Sequence, residues 1–159
     1  MNAPAIQPAD PARDLTTVRI LFREYAASLG FALDFQGFET ELLTLPGEYA
    51  EPRGTILLAT GPAGESWGVV ALRPLEGDQG TCEMKRMYVR PEARGQGLGR
   101  LLGGAVVAEA RARGYRAMRL DTIETMAPAI ALYESLGFRP IGAYRFNPMP
   151  GARFFEAVL

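Results

Sequence analysis

Apolar residues recur at three- and four-residue steps through Leu15, Val18, Leu21, Phe22 and Tyr25. That stripe predicts a helix over 11–28, stopped by Gly30. A shorter stripe of Phe38, Leu42 and Leu45 predicts a second helix over 35–45, ended by Pro46 and Gly47, with a loop over 47–54. The period then changes. Thr55–Thr60 and Ser66–Leu75 read as strands around a Gly-Pro-Ala-Gly turn, and a third strand follows over 81–89. A loop over 90–97 leads to a helix over 97–113, on which Leu98, Leu101, Leu102, Ala105 and Val106 form the buried stripe. A strand over 116–122, a helix over 125–136 and closing strands over 138–143 and 153–158 complete the pattern, with a short extended piece over 4–7 at the start. The order predicts a mixed α/β (α+β) domain, with one central sheet flanked by about four helices.

The third strand carries an irregularity. Cys82 and Met84 are apolar on one parity, Met87 and Val89 on the other. Side chains alternate along a regular strand, so one face cannot hold all four. Either one extra residue near Lys85 and Arg86 forms a β-bulge, a feature common beside active sites, or the strand is buried on both faces.

Composition narrows the chemistry. With 159 residues, 48% hydrophobic and 22% charged, the chain reads as one ordered globular domain over 1–159. Cys82 is the only cysteine and there is no histidine. These counts exclude a disulfide scaffold, a Cys/His zinc site and every nucleophile that depends on a histidine base. No metal is expected. Acid–base chemistry falls to carboxylates, tyrosines, Lys85, Cys82 or the chain terminus. A net charge of −1 argues against a nucleic-acid surface. The basic residues are arginines apart from Lys85, and arginine suits phosphate because its fork is planar and permanently charged. The proline-containing start does not read as a secretory signal and no apolar run is long enough to span a bilayer, so the expected location is the cytoplasm without membrane contact.

The strongest local signal is Arg94-Gly95-Gln96-Gly97-Leu98-Gly99, placed between a predicted strand and a predicted helix. Glycines let a ligand approach the main chain, and the first helical turn has N–H groups without internal partners. With Arg94 and Arg100 alongside, the segment reads as a cradle for a phosphate, most naturally a pyrophosphate. A P-loop is excluded because no Gly-Lys pair occurs, and the two-and-two glycine spacing misses the dinucleotide fingerprint. A glycine-rich turn without a ligand is the alternative reading.

Arg94-x-x-Gly97-x-Gly99 resembles the acetyl-CoA pyrophosphate loop of the GNAT superfamily of N-acetyltransferases. The preceding run from Met87 to Ala93 is similar to that family's approach strand and turn, and Ala129-Ile130-Ala131-Leu132-Tyr133-Glu134-Ser135-Leu136-Gly137-Phe138 to its second motif. The likeness covers 55–143. It implies acetyl-CoA lying between two splayed strands, its diphosphate on the main chain of Arg94, Gly95, Gln96, Gly97, Leu98, Gly99 and Arg100, and its pantetheine arm along Met87, Tyr88 and Val89. It also implies direct transfer of the acetyl group to a primary amine of a small molecule or amino acid. Tyr133 would protonate the departing thiolate and Glu83 would be the general base, with Asp121 and Glu124 as reserves. Many members carry an asparagine where this chain has Met126, which removes one side-chain contact to the pantetheine. The acceptor is expected among Tyr25, Phe31, Phe35, Phe38, Glu41 and Tyr49. A non-catalytic acyl-CoA sensor and acetylation of a protein N-terminus are the alternatives, and the apolar segment 154–159 permits a homodimer.

Overall fold

A computed structural model describes residues 4–159, the side chain of Phe35 excepted. Seven strands form one mixed sheet: β1 (Ala5–Pro8), β2 (Thr55–Thr60), β3 (Ser66–Leu75), β4 (Asp78–Val89), β5 (Ala117–Ile123), β6 (Arg139–Ile141) and β7 (Ala152–Val158), in the order β1-β2-β3-β4-β5-β7-β6. Four α-helices cover it: α1 (Leu15–Leu29), α2 (Phe38–Thr44), α3 (Leu98–Ala112) and α4 (Ala127–Ser135). The predicted class, element order and helix number all hold.

Each face of the sheet has its own core. Val18, Leu21 and Phe22 of α1 pack with Phe38, Leu42 and Tyr49 on Ile56, Leu58, Val69 and Ala71. On the other face Leu98, Leu102 and Val106 of α3 pack on Leu57, Val70, Leu72, Met84, Met118 and Phe155. Strands β2 and β3 therefore supply apolar residues on both parities, as sheets covered on both sides do.

The boundaries differ from the sequence reading where local chemistry intervenes. Residues 11–14 form a turn rather than helix, because the Asp10 and Asp14 carboxylates accept hydrogen bonds from the backbone N–H groups of Ala12 and Asp10. The second helix starts at Phe38 because Gly37, at φ 66°, separates it from a 3-10 turn over Asp34–Gln36. Strand β4 begins at Asp78, ahead of the expected start, and β6 is only three residues long. Strand β7 lies between β5 and β6 with Phe154 and Phe155 buried. Of the apolar segment 154–159, Phe154, Phe155 and Ala157 are buried and Val158 is exposed.

Two features of β4 position the site. Val69 pairs with Tyr88 and Ala71 with Lys85, so three residues of β4 span the interval that two span on β3. The extra residue is the bulge expected at Lys85 and Arg86, and Arg86 sits at φ 60°, where non-glycine residues are uncommon. Strand β5 pairs with β4 in parallel register only from Thr81 to Glu83. Beyond Glu83 the two strands part, leaving the β5-facing edge of β4 without a strand partner.

Candidate active site

The opening between β4 and β5 joins two spaces. A groove of about 670 Å³ runs over the start of α3 and is lined by Met87, Tyr88, Val89, Arg94, Gly95, Gly97, Leu98, Gly99 and Arg100. Of the residues expected to bind the cofactor, Gln96 alone does not line it; that side chain lies exposed in the loop. The far wall consists of Thr125, Met126, Pro128, Ala129 and Leu132 at the start of α4. At its inner end the groove meets a cavity of about 80 Å³, sharing Tyr25, Met87, Met126 and Ala129 with it.

The loop geometry suits an anion. Gly97 caps α3 at φ 77° and no side chain caps the helix, so the first-turn N–H groups stay available. Gly95 also has positive φ, and the space a Cβ would occupy at Gly95 and Gly97 is open. Arg94 is anchored by its Nε, which donates to the Val89 carbonyl at 2.9 Å, and its guanidinium lies over the Tyr88 ring.

The inner cavity holds the titratable groups: Lys85 and Arg86 from the bulge, Asp121 from β5, Tyr133 from α4 and Tyr25 from α1, with Gln36 and Asn147. Tyr133 packs edge-on against Phe138, and burial, then Tyr25 and Asp121, push its hydroxyl above the usual tyrosine value. It is protonated at neutral pH. The Lys85 Nζ donates to Gln36 Oε1 at 2.8 Å and lies 3.6 Å from Asp121 Oδ1. Burial, assisted by Arg86 and Arg145 against Glu83 and Asp121, lowers the Lys85 ammonium to about 8. Asn147 Nδ2 donates to the other Asp121 oxygen at 3.1 Å. Arg86 makes three hydrogen bonds: Nε and one terminal nitrogen grip Glu41 at 2.9 and 2.8 Å, and the other donates to Gln36.

Glu83 is not brought together with Tyr133. Its carboxylate is completely buried, receiving Arg73 at 2.9 Å and the Tyr144 hydroxyl at 2.6 Å, with Arg145 at 3.4 Å. It lines a separate cavity with Arg73, Tyr144 and Arg145. Burial raises its carboxyl, but Lys85, Arg73, Arg145 and the Tyr144 hydrogen bond outweigh that and hold it below the ordinary value. Glu124, the other reserve acid, is exposed. Of the expected acceptor residues, Tyr25 and Phe31 line the cavity, Phe38 and Tyr49 are core, and Glu41 is engaged by Arg86. The Phe35 side chain lies outside the described residues. Cys82 is a buried apolar contact whose thiol burial raises to about 12.

Sequence reasoning missed Gln36 and Asn147, which lie in irregular segments far apart in the chain. It listed Lys85 only as one possible acid–base group, although the parity slip marked its position.

Residues 20–138 match the model of the acetyltransferase (GNAT) family, and the chain belongs to that family. It is an acetyltransferase. An uncharacterised N-acetyltransferase of Schizosaccharomyces pombe is 41% identical over 144 residues, covering 91% of this chain and 88% of the yeast protein. Human N-acetylaspartate synthetase is 36% identical over 112 residues, 70% of this chain and 37% of that protein. The yncA structure of Salmonella typhimurium, determined with its cofactor acetyl-CoA, superposes with a TM-score of 0.72 at 22% identity, covering 99% of this chain and 94% of that one.

Proposed function

We propose that this protein transfers the acetyl group of acetyl-CoA directly to the primary amine of a small molecule in the cavity between β4 and β5. The single observation that carries the reading is the continuity of two spaces. A groove over uncapped helix N–H groups and glycines leads into a buried cavity containing Tyr133 and a carboxylate. The diphosphate fits the N–H groups at Gly97, Leu98 and Gly99, aided by Arg94 and Arg100. The pantetheine fits the edge of β4 that β5 leaves unpaired, as one strand pairs with another.

Asp121 is the proton acceptor in this reading and replaces Glu83, whose oxygens are already committed to Arg73, Tyr144 and Arg145. The acceptor ammonium gives one proton to Asp121, which passes it to solvent. The freed nitrogen attacks the thioester carbonyl and the C–N bond forms. A backbone N–H at the bulge stabilises the oxyanion. The C–S bond then breaks, the thiolate takes the Tyr133 proton, and the second proton shed by the nitrogen restores Tyr133. Burial holds the Tyr133 phenol above its usual value, so the transfer to the thiolate depends on the cationic nitrogen of the intermediate, which returns a proton to Tyr133 as the first one leaves.

A small acceptor is supported by the size of the cavity and by the name of the human relative, which states that it makes N-acetylaspartate, the amide of a small molecule. The test follows release of free thiol from acetyl-CoA with and without a panel of primary amines. Release that requires an amine supports the reading, and failure of acetyl-CoA to bind in calorimetry at millimolar concentration overturns it.

A further inference from the structure

Lys85 is a cation of the cavity with a single hydrogen bond among the described residues. Its side chain is 3% exposed, and among described residues only Gln36 Oε1 lies within hydrogen-bonding distance. Asp121 Oδ1, at 3.6 Å, is beyond it. An ammonium has three N–H donors, so two point to no strong acceptor in a buried place, which is costly. Arg86, its neighbour on the bulge, shows the contrast: three of its nitrogens are held by Glu41 and Gln36. Asp121 is similarly underused. It is 3% exposed and accepts one hydrogen bond, from Asn147, although a carboxylate has about four acceptor positions.

Unmet donors on one group and unmet acceptors on the other sit side by side in the cavity that contains Tyr133. A ligand that answers both must carry a cation and an anion as close together as Lys85 and Asp121 are. An ammonium and a carboxylate on the same carbon meet that requirement.

We infer that the acceptor is a free α-amino acid, bound as a zwitterion with its carboxylate on Lys85 Nζ and its ammonium on Asp121. This rests on the acetyl-transfer reading above and deepens it to a substrate class. Lys85 is then the specificity-determining residue, while Asp121 both holds the amine and takes its proton. Gln36 positions Lys85 by fixing one of its three donors. The remaining walls, which include Leu29, Phe31, Leu33 and Leu120, are apolar and receive the amino-acid side chain. A plain amine leaves the Lys85 donors unmet in a dry site, and sites built to bond a group reject analogues that lack it.

The experiment measures kcat/KM by thiol release for the twenty common amino acids, each paired with its amide, which keeps the amine and loses the carboxylate charge. Calorimetric titration with acetyl-CoA comes first and judges the underlying reading on its own. If acetyl-CoA binds, the expected result is a preference of about 10²-fold or more for at least one free acid over its amide. Lys85→Met should bind acetyl-CoA as wild type does and reduce that ratio to within about threefold, chiefly through a higher KM for the acid. Should Lys85→Met fail to fold, the wild-type ratio decides alone. Acetyl-CoA binding with amides as good as acids, or with none of the amino acids turned over, overturns the amino-acid assignment and leaves the donor site standing. A preference that survives Lys85→Met overturns the role of Lys85. Absence of acetyl-CoA binding removes the donor reading, and the inference with it.

Discussion

Glu83 and Asp121 are buried acids on adjacent strands, and their surroundings differ sharply. Glu83 has no exposed surface and meets two arginines and a tyrosine hydroxyl. Asp121 lines the inner cavity with one amide donor and one lysine just beyond bonding distance. A carboxylate whose lone pairs are filled by its own protein has little left to offer a substrate, and its removal strands buried cations. A carboxylate with unfilled positions in a cavity is suited to a ligand. Under the proposed function the contrast assigns Glu83 to stability and Asp121 to proton transfer, although their positions in the sequence look equally promising.

The largest expected effect is on Tyr133, which shares the cavity with Asp121 and not with Glu83. Tyr133→Phe should lower turnover by about 10- to 10⁴-fold with acetyl-CoA affinity little changed. Stopped assays combined with calorimetry measure both, and unchanged turnover would break the link between cavity and chemistry. Next comes stability at Glu83. Glu83→Ala leaves Arg73 and Arg145 facing an empty buried site and should destabilise by about 3–5 kcal/mol. For a chain of this size that lowers the melting temperature by roughly 10 °C.

The two acids are then set against each other directly. Asp121→Asn should reduce turnover by about 10²-fold or more. Glu83→Gln, which keeps the shape and the Tyr144 contact, should lower stability and hold turnover of the folded protein within about threefold. The reverse result would restore Glu83 as the base.

The smallest effect is on pH dependence. Lys85 is held near 8 in surroundings that include Glu83, Arg86, Asp121 and Arg145, with Tyr25 and Tyr133 kept neutral by burial. Below that value Lys85 is charged and can hold a carboxylate; above it the charge is lost. The kcat/KM preference for an amino acid over its amide should therefore fall several-fold between pH 7 and 9, since this ratio reports the free enzyme. A preference that rises with pH would contradict the assignment.

Much of this was legible in the chain. Arg94 and Gly97 marked the anion cradle, because Gly97 takes a positive φ that side chains rarely adopt at a helix entrance without a side-chain cap. The bulge at Lys85 and Arg86 was legible as one of two readings of the parity slip, and the other, burial on both faces, also holds from Thr81 to Arg86. The surroundings of Glu83 were not legible. Its parity showed which face it occupies, but nothing nearby in sequence shows that Arg73, Tyr144 and Arg145 converge on it. Gln36 and Asn147 were hidden for the same reason.

The sequence by itself determined the mixed fold, the order of its elements, the glycine loop and the slip in β4, since each depends on local backbone preference and short-range periodicity. The tertiary structure alone decided which buried groups are already paired and which remain open. Burial and hydrogen-bond saturation arise from residues distant in the chain, and they set whether an acid stabilises the protein or is available to a substrate.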